Sequence, residues 1–177
     1  SFIYSVATQK ETVMEAAFVN TYLGQDADTE VMASDFAQYS GLDTSRYQAV
    51  IDGSMMVSYD GSDQYSYANM QKLMAMVAAQ TLDSVITDDA YLEQNLESGM
   101  FSDLSLYFTE EELAQYEDRL LYKDLPEDGT DEERPVAIDV RDSKYMLSDQ
   151  VPAWFTIISN SKHPENAKQF LLFLLEE

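Results

Sequence analysis

Cysteine is absent from the 177 residues, which removes disulfides, thiolate nucleophiles and cysteine-ligated metals from consideration. Histidine occurs once. His163 stands directly before Pro164, a position that reads as a helix-capping or surface residue rather than a triad base or metal ligand. Glycine is scarce and scattered singly at Gly24, Gly41, Gly53, Gly61, Gly99 and Gly129, so no glycine-rich phosphate cradle is present. No stretch approaches the roughly 18 consecutive apolar residues of a membrane helix, and no charged-then-apolar leader with a small-residue cleavage site is visible. Basic residues are few: 10 Lys and Arg against 33 Asp and Glu leave a net charge of −23. Such a chain repels phosphate backbones and anionic membrane surfaces, which excludes nucleic acid as a partner.

What is present suits a globular domain: 45% hydrophobic and 12% aromatic residues, in a length that fits one domain and not two full-sized lobes. From Glu11 onward, strand-like apolar runs alternate with helical periods. That pattern predicts a single α/β domain over 11–177, with a mainly parallel sheet flanked by helices. Strands are expected at 13–20, 47–52, 82–86, 136–140 and 153–159. Asp28 and Gly41 bracket a helix carrying Met32, Phe36 and Tyr39. Met70, Leu73, Met74 and Val77, at i, i+3, i+4 and i+7, predict one buried helical face, the alternative being an adaptable methionine-rich binding surface. Asp88 caps a helix with Leu92 and Leu96 that closes at Gly99. Thr109 and Glu112 form a capping box for a helix bearing Leu113, Tyr116 and Leu120. Residues 124–134 read as an exposed acidic loop, and Pro164 opens a last helix with Ala167, Phe170, Leu171 and Leu174 on one face.

The chemistry these residues can support is narrow. With 33 carboxylates, pairs at glycosidase spacing arise by chance and assign no acid or base. Asp60-Gly61-Ser62-Asp63 and residues 128–133 are rich in oxygen ligands, yet neither matches the twelve-residue calcium loop, so both read as solvated turns. No metal and no cofactor is expected. Residues 109–134 hold 11 acids and 3 bases, a net of −8, which reads as a solvated face. Tyr22, Tyr59, Tyr65 and Tyr67 fall in or beside turns after predicted strands, where rings can stack on sugars or cations.

Residues 152–171 contain Ser161-Lys162-His163-Pro164-Glu165-Asn166-Ala167 ahead of Phe170 and Leu171. This segment resembles the terminal strand and helix of the extracellular solute-binding proteins of ABC transporters. Residues 82–104 are similar to the same family's short strand, helix and Gly-aromatic-Xaa-Asp-Leu connector. The resemblance implies one lobe, or a shortened form, of the type II solute-binding fold, because only residues 105–150 leave room for the inserted second lobe. It also implies a location outside the cell or at its surface, and non-catalytic binding of a small solute. The apolar start Ser1-Phe2-Ile3-Tyr4-Ser5-Val6 then reads as a juxtamembrane or linker remnant over 1–10, with a membrane anchor upstream of Ser1. An ordinary first strand or terminus is the other reading of that run.

The net charge favours a cationic ligand or a neutral sugar. In an open α/β sheet the site falls at strand-to-helix turns, which nominates Asn20, Thr21 and Tyr22 after the first strand, Ser54 and Met55 after the second, and Asp88 after the third. Two other functions compete with this one. The first is a cell-surface interaction or accessory protein that keeps the fold without a small-molecule site and binds a protein partner. The second is a carboxylate-dependent hydrolase.

Overall fold

The structure, a computed structural model, describes residues 9–61, 63–126 and 128–177; residues 1–8 of the expected N-terminal remnant, Ser62 of the first acidic turn and Glu127 of the acidic loop lie outside them. Among the described residues six strands form one sheet: β1 (Glu11–Val19), β2 (Tyr47–Met55), β3 (Ser84–Thr87), β4 (Leu120–Asp124), β5 (Glu133–Asp139) and β6 (Trp154–Ile157), in the spatial order β2-β1-β3-β6-β5-β4. Five α-helices accompany them: α1 (Thr29–Ser40), α2 (Gln64–Ala78), α3 (Asp89–Leu96), α4 (Glu110–Ala114) and α5 (Pro164–Leu174).

The α/β class is as expected, but the sheet is mixed rather than mainly parallel. β2–β1 and β1–β3 pair parallel, whereas β3–β6, β6–β5 and β5–β4 pair antiparallel. The physical reason lies in the connections. A parallel neighbour needs a crossover of a dozen or more residues, and α1 and α2 supply crossovers for the first three strands. The short link between β4 and β5 permits only a hairpin, and β6 enters the gap between β3 and β5 running opposite to both. Residues 105–150, the only stretch that left room for an inserted lobe, supply α4, β4 and β5, and the last two join the same sheet.

Helices cover both faces, which is why the inner strands read as continuous apolar runs instead of alternating ones. Along β1 the side chains part by the two-residue strand period. Met14, Ala16 and Phe18 enter a core with Met32 and Phe36 of α1 and Phe170, Leu171 and Leu174 of α5. Ala17 and Val19 enter a second core with Leu73 of α2 and Leu92 and Leu96 of α3. In the first core Phe170 meets Phe18, Phe36 and Phe173 at ring-centroid distances of 6.3, 5.4 and 6.0 Å. Close approach is seen at one point: a Cβ on Gly53 would lie 2.6 Å from Thr29 Cγ2, so any larger residue there requires the Thr29 side chain to shift.

Local rules account for the helix ends. The Asp28 carboxylate accepts from the backbone N–H groups of Glu30 and Val31, and Gly41 closes α1 with φ of 74°. The Thr109–Glu112 capping box forms reciprocally. Two expectations fail. The helix after Thr109 stops at Ala114, a 3₁₀ turn follows at Glu117–Arg119, and Leu120 opens β4 instead of extending the helical face. On α2, Leu73 is buried and Met70 and Val77 are half-buried, but Met74 is 64% exposed. The predicted face is therefore only partly turned inward.

At the amino edge of the sheet, the buried Asp83 carboxylate ties three segments together. Its Oδ2 accepts from the Glu15 backbone N–H at 2.8 Å and its Oδ1 from the Ser161 hydroxyl at 2.7 Å, with His163 Nδ1 at 3.4 Å from Oδ1. His163 occupies the N-cap position of α5 but makes no side-chain cap bond, so the expected capping role is replaced by this pairing. Burial, with the nearby Asp83 charge, raises the pKa of Glu15 above its ordinary 4.5. Folding therefore favours the protonated form, and the contribution of Glu15 to stability falls as pH rises from 4.5 through that raised value. Glu15→Gln is accordingly expected to stabilise the protein at pH 7. The gain should vanish as pH approaches 4.5 in urea titrations, and a variant no more stable than the parent at pH 7 would contradict the assignment.

Candidate functional site

One row of register partners marks the edge at which the parallel strands end: Met55 beside Val19, Val19 beside Thr87, Thr87 beside Trp154, and Trp154 beside Asp139. Four of the six strands, β1, β2, β3 and β5, point toward this carboxyl edge. Their following turns place five of the six predicted residues just beyond or at it.

The structure brings Asn20, Thr21, Met55 and Asp88 together, and it uses them as struts. Asn20 adopts the left-handed conformation with φ of 56°, which Asn tolerates better than other non-glycine residues. Its carboxamide oxygen accepts from the Val57 N–H and its amide donates to the Val57 carbonyl, both at 2.8 Å, and reaches the Asp88 carboxylate at 3.3 Å. The Asn20 backbone N–H donates to the Met55 carbonyl. Thr21 is buried and its hydroxyl donates to the Ile86 carbonyl at 2.9 Å. Asp88 caps α3 through the Tyr91 N–H. Met55 packs in the second core.

The remaining two predicted residues stand apart. Ser54 is exposed on the outermost strand. Tyr22 is 50% exposed, and its carbonyl accepts from the Leu147 N–H, so residues 141–153 run as a strap beside it; Gly24 N–H to Tyr145 carbonyl is a second tie. The positional reading thus points at residues along this edge. It did not find free ligand groups, because a polar side chain at a strand end serves neighbouring backbone as readily as it serves a ligand.

An open hollow of about 450 Å³ lies at the β5 end of this edge, lined by Asp118, Arg119, Asp139, Arg141, Asp142 and Asp149. Arg119 donates to both Asp142 oxygens at 2.6 and 2.7 Å and to the Asp139 carbonyl at 3.1 Å. The guanidinium holds the Asp142 carboxyl below the usual carboxylate range. Arg141 pairs with Asp139 at 2.7 Å, and Asp139 also accepts from the Arg141 and Ala153 N–H groups. Asp118 has no hydrogen-bond or ion-pair partner among the described residues. Asp149 accepts only from the neighbouring Gln150 amide there.

Four carboxylates against two guanidiniums leave the hollow with a net charge of −2, and both guanidiniums are already engaged. Trp154, between this hollow and the Asn20 cluster in the sheet row, donates its indole N–H to Asp89 at 2.6 Å. Sequence reasoning missed these residues because Arg119 meets Asp142 across 23 positions, a separation that carries no motif. The chain matches no family model, no curated protein and no solved structure.

Proposed function

We propose that this protein is a non-catalytic binding module that takes a small cationic solute at the carboxyl edge of its sheet. The observation that carries the reading is the open hollow whose guanidiniums are neutralised internally while Asp118 and Asp149 are left to face a ligand. The surrounding charge of −23 draws cations toward it, with a reach of about 8 Å at physiological ionic strength. The Asp142 carboxyl, held by Arg119 below the usual carboxylate range, is an acceptor rather than a proton donor, which suits binding more than acid catalysis. The resemblance of residues 152–171 and 82–104 to solute-binding proteins supports the same role at the cell envelope, with the domain standing for one lobe or a shortened form of that fold.

A thermal-shift series with spermidine, amino acids, sugars and divalent metals tests this. Spermidine at about 100 times Kd is expected to raise Tm by roughly 5 °C or more, with the shift shrinking as salt increases. Asp118→Asn combined with Asp149→Asn should abolish most of it. Flat responses throughout would remove the solute-binding reading. A second reading, docking of another protein at the same edge, is favoured by one feature: Tyr22, Leu147 and Val151 are 50%, 53% and 62% exposed on the strap and the segment it binds. Loss of a partner on Tyr22→Ala with Leu147→Ala, without change in the spermidine response, would separate the two.

A further inference from the structure

We infer that the outer face of α2 is a self-association surface, on which a second copy of this chain packs its own α2 antiparallel about a two-fold axis. From Gln64 to Leu82 the sequence contains no Asp or Glu, in a chain with 33 of them, and its one charge is Lys72. That ammonium is paired with Asp52 at 3.1 Å. The exposed faces of the other helices all carry carboxylates: Glu30 and Asp35 on α1, Asp89 and Glu93 on α3, Glu110 and Glu111 on α4, Glu165 on α5. Two copies, each with a charge of −23, repel one another through every such face and least through α2.

The shape of this face fits helix pairing. Tyr67, Met70, Met74 and Val77 recur at i, i+3, i+7 and i+10, the spacing of a two-heptad seam. Tyr67 and Met74 are each 64% exposed, far from the burial that a core-facing stripe would show. Ala68, Ala75 and Ala78 beside the seam are exposed and small, so a second backbone can come close. A two-fold axis passing between Met70 and Gln71 sets Tyr67 of one copy on Met74 of the other, twice, which is the self-complementarity that an isologous dimer requires and a favourable thioether–ring contact. Toward its end the seam opens into a hollow of about 470 Å³ between α2 and α3, lined with Met74, Val77, Ala78, Tyr91 and Met100 among others, which leaves room for partner side chains. A basic partner finds no carboxylate on the seam, and an acidic one finds only a lysine already paired. A neutral copy of the same face meets neither deficiency.

Sedimentation equilibrium of the purified chain tests the inference. The mass is expected to rise with concentration from 20.1 kDa to twice that value. Association should strengthen as salt screens the two like charges, the reverse of what a charge-driven complex shows. Tyr67→Glu with Met74→Glu is expected to weaken association by at least about tenfold, while its circular dichroism melt stays that of the parent because both side chains already lie mostly in solvent. If the paired Glu variant unfolds, Tyr67→Gln with Met74→Gln carries the same test without added charge. A parent that stays monomeric at all concentrations and salts overturns the inference, as does a dimer that persists unchanged in a folded variant.

Discussion

Phe170→Ala is expected to destabilise the protein by about 4 kcal/mol and to lower Tm by about 10 °C, given the roughly 2–4 °C per kcal/mol typical of a domain this size. Phe170 is fully buried and stands where α5 meets both β1 and α1, in ring contact with Phe18, Phe36 and Phe173. Truncation removes the transfer free energy of the ring and also leaves a cavity that three rigid aromatic neighbours refill poorly. Phe170→Leu retains most of the volume and should lose less than half as much. A double-mutant cycle with Phe36→Ala should report a coupling of about 1 kcal/mol for the edge-to-face pair. Urea unfolding measures all of these, and a loss under about 1 kcal/mol for the alanine variant would show that α5 does not hold the first core together.

Asp83→Ala is expected to cost about 3 kcal/mol, for a different reason. The carboxylate is almost completely buried, with a side chain 2% exposed, and it is the acceptor for the Glu15 N–H and the Ser161 hydroxyl. Removing it strands both donors and leaves His163 Nδ1 without the carboxylate oxygen that lies 3.4 Å away. The cost is desolvation without replacement, which exceeds what the pair contributes net when intact. Asp83→Asn, of equal size, keeps one acceptor oxygen but presents an amide to a second donor, so an intermediate loss is expected. Because Asp83 also helps to raise the pKa of Glu15, Asp83→Ala should flatten the pH dependence that Glu15→Gln removes. An alanine variant as stable as the parent at pH 7 would mean that solvent reaches these donors.

Much of the helical architecture was legible because its signals are local. Asp28 and Gly41, Asp88, Thr109 with Glu112, and Pro164 each satisfy or end a helix within four residues of themselves, and each forms as the sequence indicates. The strand β4 was not legible. Leu113, Tyr116 and Leu120 fall on a helical period, but Arg119 is drawn to Asp142 and the Asp139 carbonyl, and residues 120–124 pair with β5. Long-range pairing outweighed local spacing there, as it commonly does for short strands. Strand direction was hidden too, since hydrophobic patterning is the same whichever way β6 runs.

The site shows the same division. Where the carboxyl edge of the parallel strands lies follows from strand order and is readable from the alternation of elements; which groups are left free there depends on bonds such as Asn20 to Val57, which no spacing reveals. The Met74 side chain makes the point for surfaces. Its sequence position fits a core stripe, but α2 is turned so that Leu73, the next residue in the chain before it, takes the buried place.

The insertion of β6 between β3 and β5 dictates an order of assembly during translation. Residues 154–157 leave the ribosome after every other strand, so until then the nascent polypeptide holds two separate pieces, a three-stranded parallel unit and a hairpin, each with a bare hydrogen-bonding edge. At about 5–20 residues per second, both edges wait for seconds beside one another, exposed to mispairing until β6 arrives to cover them.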